Sequence, residues 1–456
     1  MEYTEFIAVI DLGTINIVGM VGVKKPDGTF QVIAHEVENA ESCIRRGTIY
    51  KISDTAGKIK RLIRKMENVL PSKLSKKVQD IKISKVYVGV GGQSLRSIKH
   101  SESAVLGADG LVSKEILDSL NEKSKAYKPD MLDVLDIASP VYYLDNKPEA
   151  DPIGMQCYRI DANYQLIVGR PSLRKNIIAA VAEQARIDIA GIYVSPLALA
   201  NAVLTEEEKK EGCALIDFGG GVTSLTVYKE GNLLNLSVIP FGSSLITKDL
   251  TDILTETDAE NTKRNHGSAK RENDTNAVVQ IGANKMKANE INNIIESRIR
   301  EILENIYARI KETNIQDGLK TVVITGGGSS LKQLDEVIGE QLSVKVRHAS
   351  VRKGLVSAEN IDLGDPIYTV ALSLLANGTE NCVTIIPEKK VIVEIPKKEE
   401  EEDKEKEERE KKERERKEKE NKEKKKEKSN SLKKWWETTA GTFFDEDGTS
   451  DNKPTK

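Results

Sequence analysis

Two segments of this chain repeat one pattern, and that repeat restricts the fold more than any other feature. Ile7 to Met20 reads IAVIDLGTINIVGM, and Ala214 to Tyr228 reads ALIDFGGGVTSLTVY. Each is a β-branched apolar run, an aspartate, a glycine-containing turn and a second apolar run. That is the pattern of a buried strand, a tight hairpin and a returning strand. Asp11 and Asp217 stand 206 residues apart, about one domain length. A third element, VVITGGGSSLKQL from Val322, is a strand running into Gly326, Gly327 and Gly328, then a helix-like stretch with Leu331, Leu334 and Val337. The spacing predicts a duplicated α/β architecture with a cleft between its halves. Between the repeats, Ser84 to Arg170 holds short strands (KVYVGVGG, PVYYLD, YQLIVG) and a polar helix near Ser113–Lys128, and reads as a small α+β insertion. After the second repeat, a long amphipathic helix is expected from about Asn289 to Thr313. Ile294, Ile295, Ile299, Ile302, Leu303 and Ile306 form its apolar stripe.

The 456 residues leave room for two or three domains. With 69 basic against 72 acidic groups, the net charge of −3 excludes nucleic-acid binding driven by global charge. The charge is concentrated, however: from Lys397 to Lys428 every residue except Asn421 is charged. Opposite charges at i,i+4 outnumber like charges there, and the run contains neither Pro nor Gly, which favours a solitary helix over a coil. At 1.5 Å per residue it would span ~48 Å and hold something at a distance. Beyond it Ser431 can N-cap LKKWWETTAGTFF, whose Leu432, Trp435, Trp436, Thr439, Ala440, Phe443 and Phe444 share one broad face. A core helix at the end of a charged rod has no core to enter. An interfacial membrane anchor is the leading expectation and a docking peptide for another protein its rival. Lys433 and Lys434 would face anionic headgroups, each worth ~1 kcal/mol. Asp445, Glu446 and Asp447 oppose this, so the anchor should be weak alone and act in numbers. Four scattered cysteines argue against disulfides and structural zinc and point to a reducing cytosol. Neither a signal peptide nor a membrane span is expected.

A glycine turn beside an aspartate has a chemistry of its own. Backbone N–H groups freed by the tight turn converge and cradle phosphate oxygens. The carboxylate before the turn holds Mg²⁺ through water. Two such turns from opposing halves would grip a nucleotide tail from both sides, and three glycines before a helix allow close approach to a nucleoside. Each motif alone is weak; in this order and at domain-scale spacing they reinforce one another.

The order DLGT, YVSPLALANAVL, DFGGG, TGGG and DPIYTVALSLL resembles the two phosphate loops, two connectors and adenosine loop of the actin-like ATPases over residues 1–378. The insertion, the segments IPFGSSLITKDL, AENTKRNHG and IIESRIREIL, and the tail are similar to the FtsA family of bacterial division proteins. The resemblance implies an α/β, actin-like duplicated two-domain fold with an FtsA-type insertion. Its first domain would be residues 1–83 and 171–205, with the insertion at 84–170. The second would be 206–258 and 315–396, with a nucleotide- and partner-binding subdomain at 259–314. A charged linker at 397–430 and an amphipathic membrane-targeting helix at 431–447 would complete the chain. It also implies ATP, with Mg²⁺ held through water by Asp11 and Asp217. Asp11, Gly13, Thr14, Ile15 and Asn16 match the first phosphate loop, and Asp217, Gly219, Gly220, Gly221 and Thr223 the second. Glu260 and Lys263 match the pair near the ribose, and Gly326, Gly327 and Gly328 the adenosine loop. Arg298 and Glu301 lie on the helix where the family binds the FtsZ C-terminal peptide. The implied protein forms filaments with itself, tethers FtsZ filaments to the inner face of the cytoplasmic membrane and recruits later division proteins.

Ile15 and Asn16 replace the small polar and basic residues common after the first-loop Thr. Val222 and Ser224 replace the outer Thr and the Asp of the second loop. Fewer hydroxyl and carboxylate groups would then face the phosphates, so ATPase activity is expected to be weak at most. Two alternatives share the fold: a pilus-assembly protein of the PilM kind, and a small-molecule kinase. A kinase needs a substrate pocket with a general base and has no use for a rod and anchor. A heat-shock chaperone is disfavoured by the little chain left after Asn377 for a peptide-binding domain. No Ser/His/Asp or Cys/His arrangement supports nucleophilic catalysis.

Overall fold

A computed structural model describes residues 5–73, 78–107, 110–271, 277–282, 284–315, 318–359, 361–387 and 398–439. The chain separates into two compact units, Met1–Glu388 and Lys389–Lys456.

The first unit opens with strands β1 (Phe6–Leu12), β2 (Asn16–Lys24) and β3 (Phe30–Asn39), the small hairpin β4 (Ile44–Arg45) and β5 (Thr48–Ile49), and helix α1 (Ile52–Lys73). Strands β6 (Val78–Ile83) and β7 (Lys85–Val90) follow. Next come β8 (Arg96–Val105), α2 (Lys114–Ala126), β9 (Asp133–Leu144), β10 (Lys147–Glu149) and β11 (Arg159–Gly169). Helix α3 (Ser172–Ile178) runs into a π-helical stretch, then β12 (Asp188–Val194), α4 (Ser195–Val203) and α5 (Glu206–Glu211). The second repeat forms β13 (Cys213–Phe218), β14 (Thr223–Lys229) and β15 (Asn232–Ile239), with α6 (Ser244–Leu250) and α7 (Glu256–His266). Beyond these lie the hairpin β16 (Val278–Ile281) and β17 (Asn284–Lys287), α8 (Ala288–Lys311), β18 (Thr321–Thr325) and α9 (Leu334–Leu342). Strands β19 (Lys345–His348) and β20 (Val356–Ser357), helix α10 (Thr369–Ala376) and β21 (Val383–Pro387) close the unit.

The duplication is explicit in the sheets. One runs β12-β7-β1-β2-β3-β20, and the other contains β15-β14-β13-β18-β19. In each, a three-strand antiparallel meander carries a parallel strand beside its first member. The hairpins share a register: Asp11 lies opposite Val18, and Asp217 opposite Ser224. The first core takes in Leu215, Leu236 and Val323 from one face of the second sheet, whose other face has a second core of its own. In the second, α8 contributes Ile291, Ile295, Ile299, Ile302, Leu303, Ile306 and Ile310, all buried, as its 3.6-residue periodicity predicts. Burial of each such side chain is worth about 1.5–3 kcal/mol, an upper figure because the unfolded chain already buries part of it. The connectors α4 and α10 pack on one another, with Ala198, Ala200, Ala202 and Ala371 buried.

The sheet pairing moves the start of the insertion. The insertion does not begin at Ser84: KVYVGV is β7, paired in parallel with both β1 and β12. Its run of five buried residues is that of an interior parallel strand, apolar on both faces. The insertion is therefore β8, α2, β9, β10 and β11 around a third core, and its sheet joins the second half at Arg96 and Ser237. The four cysteines are free and buried.

The second unit contains one described helix, α11 (Lys398–Thr439), of 42 residues. Ser431 does not begin a new helix. Its hydroxyl donates to the Lys428 carbonyl at 3.1 Å, the back-bonding of a helix interior, and Leu432, Lys433, Lys434, Trp435 and Trp436 continue the same helix. Phe443 and Phe444 lie outside the described residues. No described helix is long and apolar enough to cross a membrane.

Candidate functional site

A cavity of about 580 Å³ lies within the first unit. It brings together Asp11, Gly13, Thr14, Ile15 and Asn16 from the first turn with Asp217, Gly219 and Gly220 from the second. Glu260, Lys263, Gly326, Gly327 and Gly328 line it as well.

The two turns are built alike. A Cβ at Gly13 would lie 2.6 Å from the Asn16 carbonyl oxygen, and one at Gly219 would lie 2.8 Å from that of Val222. Both positions must therefore be glycine for the same steric reason. In the second turn the carbonyls of Gly219 and Gly220 accept from Ser243 N and Ser244 N, each at 2.9 Å. Trans peptide geometry then turns the N–H groups of Gly220 and Gly221 to the opposite side, away from Ser243 and Ser244. The first turn meets the second directly. A Cβ on Gly220 would strike the Ile15 side chain at 2.5 Å, and one on Gly221 would strike Thr14 at 2.7 Å.

Both carboxyls are poor acids here. Burial, then the neighbouring Asp217 charge, pushes Asp11 up to about 7, partly offset by the Leu12 backbone N–H. Burial raises Asp217 to about 6, with a hydrogen bond from Ser224 opposing it. Two half-buried carboxyls with raised pKa facing one cavity form a site that a cation would relieve. Gly326 adopts φ +81°, and a Cβ there would run into Asp217 Oδ1 and Phe218 O. Glu260 behaves oppositely. Burial would raise it, but hydrogen bonds from Lys263, Thr247 and Arg264 hold it at about 2. Lys263 Nζ donates to Glu260 at 2.5 Å and to Thr247 Oγ1 at 2.8 Å; burial lowers its own pKa. Among the described residues no group of three or more His, Cys, Asp or Glu is placed to hold a metal directly. The carboxyl pair Asp11 and Asp217 fits a cation that keeps part of its water shell, and the glycine turns fit phosphate oxygens.

Four sequence candidates, two from the second turn and two from α8, are not among the residues lining the cavity. Thr223 is fully buried on the other face of β14, its Oγ1 donating to the Phe241 carbonyl at 2.9 Å; Val222 and Ser224 line the cavity instead. Gly221 packs against Thr14 rather than lining the cavity. Arg298 and Glu301 lie on α8, outside the cavity lining. Arg298 already holds Asp249 through Nε at 2.6 Å and Nη2 at 2.9 Å, and also pairs with Glu301.

Sequence reasoning missed several lining residues: Gly47, Gly91, Gly92, Ser195, Pro196 and Asp365. The repeat held the signal for two of them. Val9 pairs with Tyr87, and its counterpart Leu215 pairs with Val323, so Gly91 and Gly92 correspond to Gly327 and Gly328.

The family model described as cell division protein FtsA matches residues 214–373. The cell division protein FtsA of Porphyromonas gingivalis W83 is 30% identical over 86% of this chain and 83% of its own length. This chain belongs to the FtsA family. The FtsA of Bacillus subtilis 168 is 29% identical over 84% of this chain and 85% of its own. A solved PilM–PilN type IV pilus biogenesis complex covers 83% of this chain and 100% of its own, at 16% identity and a TM-score of 0.59. That likeness extends the shared actin-like fold beyond the FtsA family and concerns the fold alone.

Proposed function

We propose that this protein binds ATP with Mg²⁺ in the cavity, polymerises, and tethers FtsZ filaments to the inner face of the cytoplasmic membrane, where it recruits later division proteins. The observation that carries the nucleotide reading is the convergence of two equivalent Asp–Gly turns on one cavity, opposite Gly326–Gly328 and the ionised Glu260. The N–H groups of residues 13–16 and 219–221 would hold phosphate oxygens. Asp11 and Asp217 would hold Mg²⁺ through water, and when bound the ion neutralises phosphate charge. Glu260 accepts ribose hydroxyls while Lys263 keeps it oriented, and Gly326 to Gly328 admit the adenosine. Ser224 rather than a carboxylate beside Asp217 supports weak hydrolysis at most.

Family membership supports the division role. Leu432, Lys433, Lys434, Trp435 and Trp436, with Phe443 and Phe444 beyond, form the membrane anchor, and the charged run before them is its spacer. For Arg298 and Glu301 to receive an acidic FtsZ peptide, an incoming carboxylate displaces Asp249 from the Arg298 fork. The peptide gains only the difference between two similar pairs, so this contact sets specificity more than affinity.

Co-sedimentation with phosphatidylglycerol vesicles, with and without ATP, tests the reading on the full chain and on a chain ending at Pro396. Loss of vesicle binding on truncation, with filaments and ATP binding retained, supports it. Unchanged vesicle binding removes the anchor from residues 397–456 and overturns the tether.

A further inference from the structure

A second cavity, of about 400 Å³, lies next to the first and shares a wall with it. Gly47, Gly91 and Gly92 line the first, whereas their chain neighbours Arg46, Thr48, Gln93 and Ser94 line the second. The wall is thin because a Cβ at Gly47 would sit 2.8 Å from the Gly92 backbone, so only glycines fit there. Three arginines, Arg45, Arg46 and Arg170, line this second cavity together with Thr48, Ser94 and Ser172. They arrive from the β4–β5 hairpin, the segment after β7 and the junction of β11 with α3.

Among the described residues none of these three arginines has a carboxylate within salt-bridge reach. Arg159, Arg264, Arg271, Arg300, Arg309 and Arg347 each do. Two of the three guanidinium groups have uncharged partners. Arg45 lies 4.3 Å from the centre of the Tyr50 ring, and Arg46 Nη1 donates to Gln93 Oε1 at 3.2 Å. Gln93 N returns a bond to the Arg46 carbonyl at 3.2 Å, and Arg170 N donates to Ser94 Oγ at 3.2 Å. Three like charges held around one concavity without a counter-charge repel one another unless an anion joins them. Guanidinium forks combined with hydroxyl donors suit a tetrahedral oxyanion, which offers more acceptor positions than a carboxylate. We propose that this cavity is a phosphate-binding site, separate from the nucleotide cavity, for a free phosphate group or one carried on a side chain of a partner.

Isothermal titration of the full chain, saturated with ATP and Mg²⁺ so that the first cavity is filled, tests this. The probes are inorganic phosphate and a neutral pentapeptide with a central phosphoserine, each against chloride at equal ionic strength. Phosphate is expected to bind, and the double variant Arg45→Gln, Arg170→Gln should weaken it by at least ~10-fold with ATP affinity unchanged. That variant in chloride should melt no lower than the parent, because repulsion is removed; a lower midpoint would mean that the arginines serve the fold instead. A peptide that binds more tightly than phosphate makes the ligand a phosphorylated chain, and equal binding makes it free phosphate. Absence of phosphate binding, binding indifferent to the variant, or binding abolished by saturating ATP overturns the proposal.

Discussion

Across the first hairpin Asp11 faces Val18; across the second Asp217 faces Ser224. The backbones match, down to the glycine two residues after each aspartate, yet the side chains diverge. The first turn carries Thr14, Ile15 and Asn16, whereas the second carries Gly220, Gly221 and Val222. The bare turn accepts the decorated one, with Ile15 against Gly220 and Thr14 against Gly221. The repeat supplies two copies of one Asp–Gly turn, and their side chains are complementary. Burial raises both carboxyls; the Asp217 charge raises Asp11 further, and the Ser224 hydroxyl opposes the rise at Asp217.

The largest effect is expected from Gly326→Ala. Its positive φ and the collision of a Cβ with Asp217 and Phe218 leave no room, so unfolding stability should fall by about 2–4 kcal/mol and ATP binding should be lost. Thermal melts and ATP titration read both. Substitution of the aspartates comes next. Both pKa values are raised on folding, so between about pH 4 and 7 the ligand-free native state binds more protons than the unfolded chain. Its stability therefore falls as pH rises through that window. Asp11→Asn should raise ligand-free stability at pH 8 by about 1–3 kcal/mol, the lower figure allowing for solvent in the cavity. Gly220→Ala should cost about 1–3 kcal/mol by pressing on Ile15, and Ile15→Ala should rescue part of it. A coupling of about 1 kcal/mol in the double-mutant cycle would establish the interlock, and additivity would refute it. Smallest is Ser224→Ala, which should bring Asp217 toward Asp11 by under ~1 pH unit, followed by carboxyl NMR titration. No movement would remove the Ser224 hydroxyl as a partner of the Asp217 carboxyl.

The repeat made much of this legible. Asp11 and Asp217 announced their hairpins because aspartate interrupts two buried apolar runs, and the α8 stripe declared its buried face. What stayed hidden depends on distant chain. KVYVGV looks the same whether it belongs to an insertion or to the middle of a sheet; pairing with β1 and β12 decides. Thr223 sits in a phosphate-loop motif, yet strand alternation turns it to the Phe241 carbonyl. Ser431 has the chemistry of a cap, but the preceding charged helix continues through it. Arg298 looks free in sequence because Asp249, its partner, is 49 residues away.

The most direct test of the two-turn site is the Mg²⁺ dependence of ATP affinity at pH 8, compared between the parent chain and the double variant Asp11→Asn, Asp217→Asn. The paired carboxyls predict tight, Mg²⁺-dependent binding in the parent and loss of the Mg²⁺ dependence in the variant. Equal affinity with the same Mg²⁺ dependence in both would contradict a shared cation site between the turns.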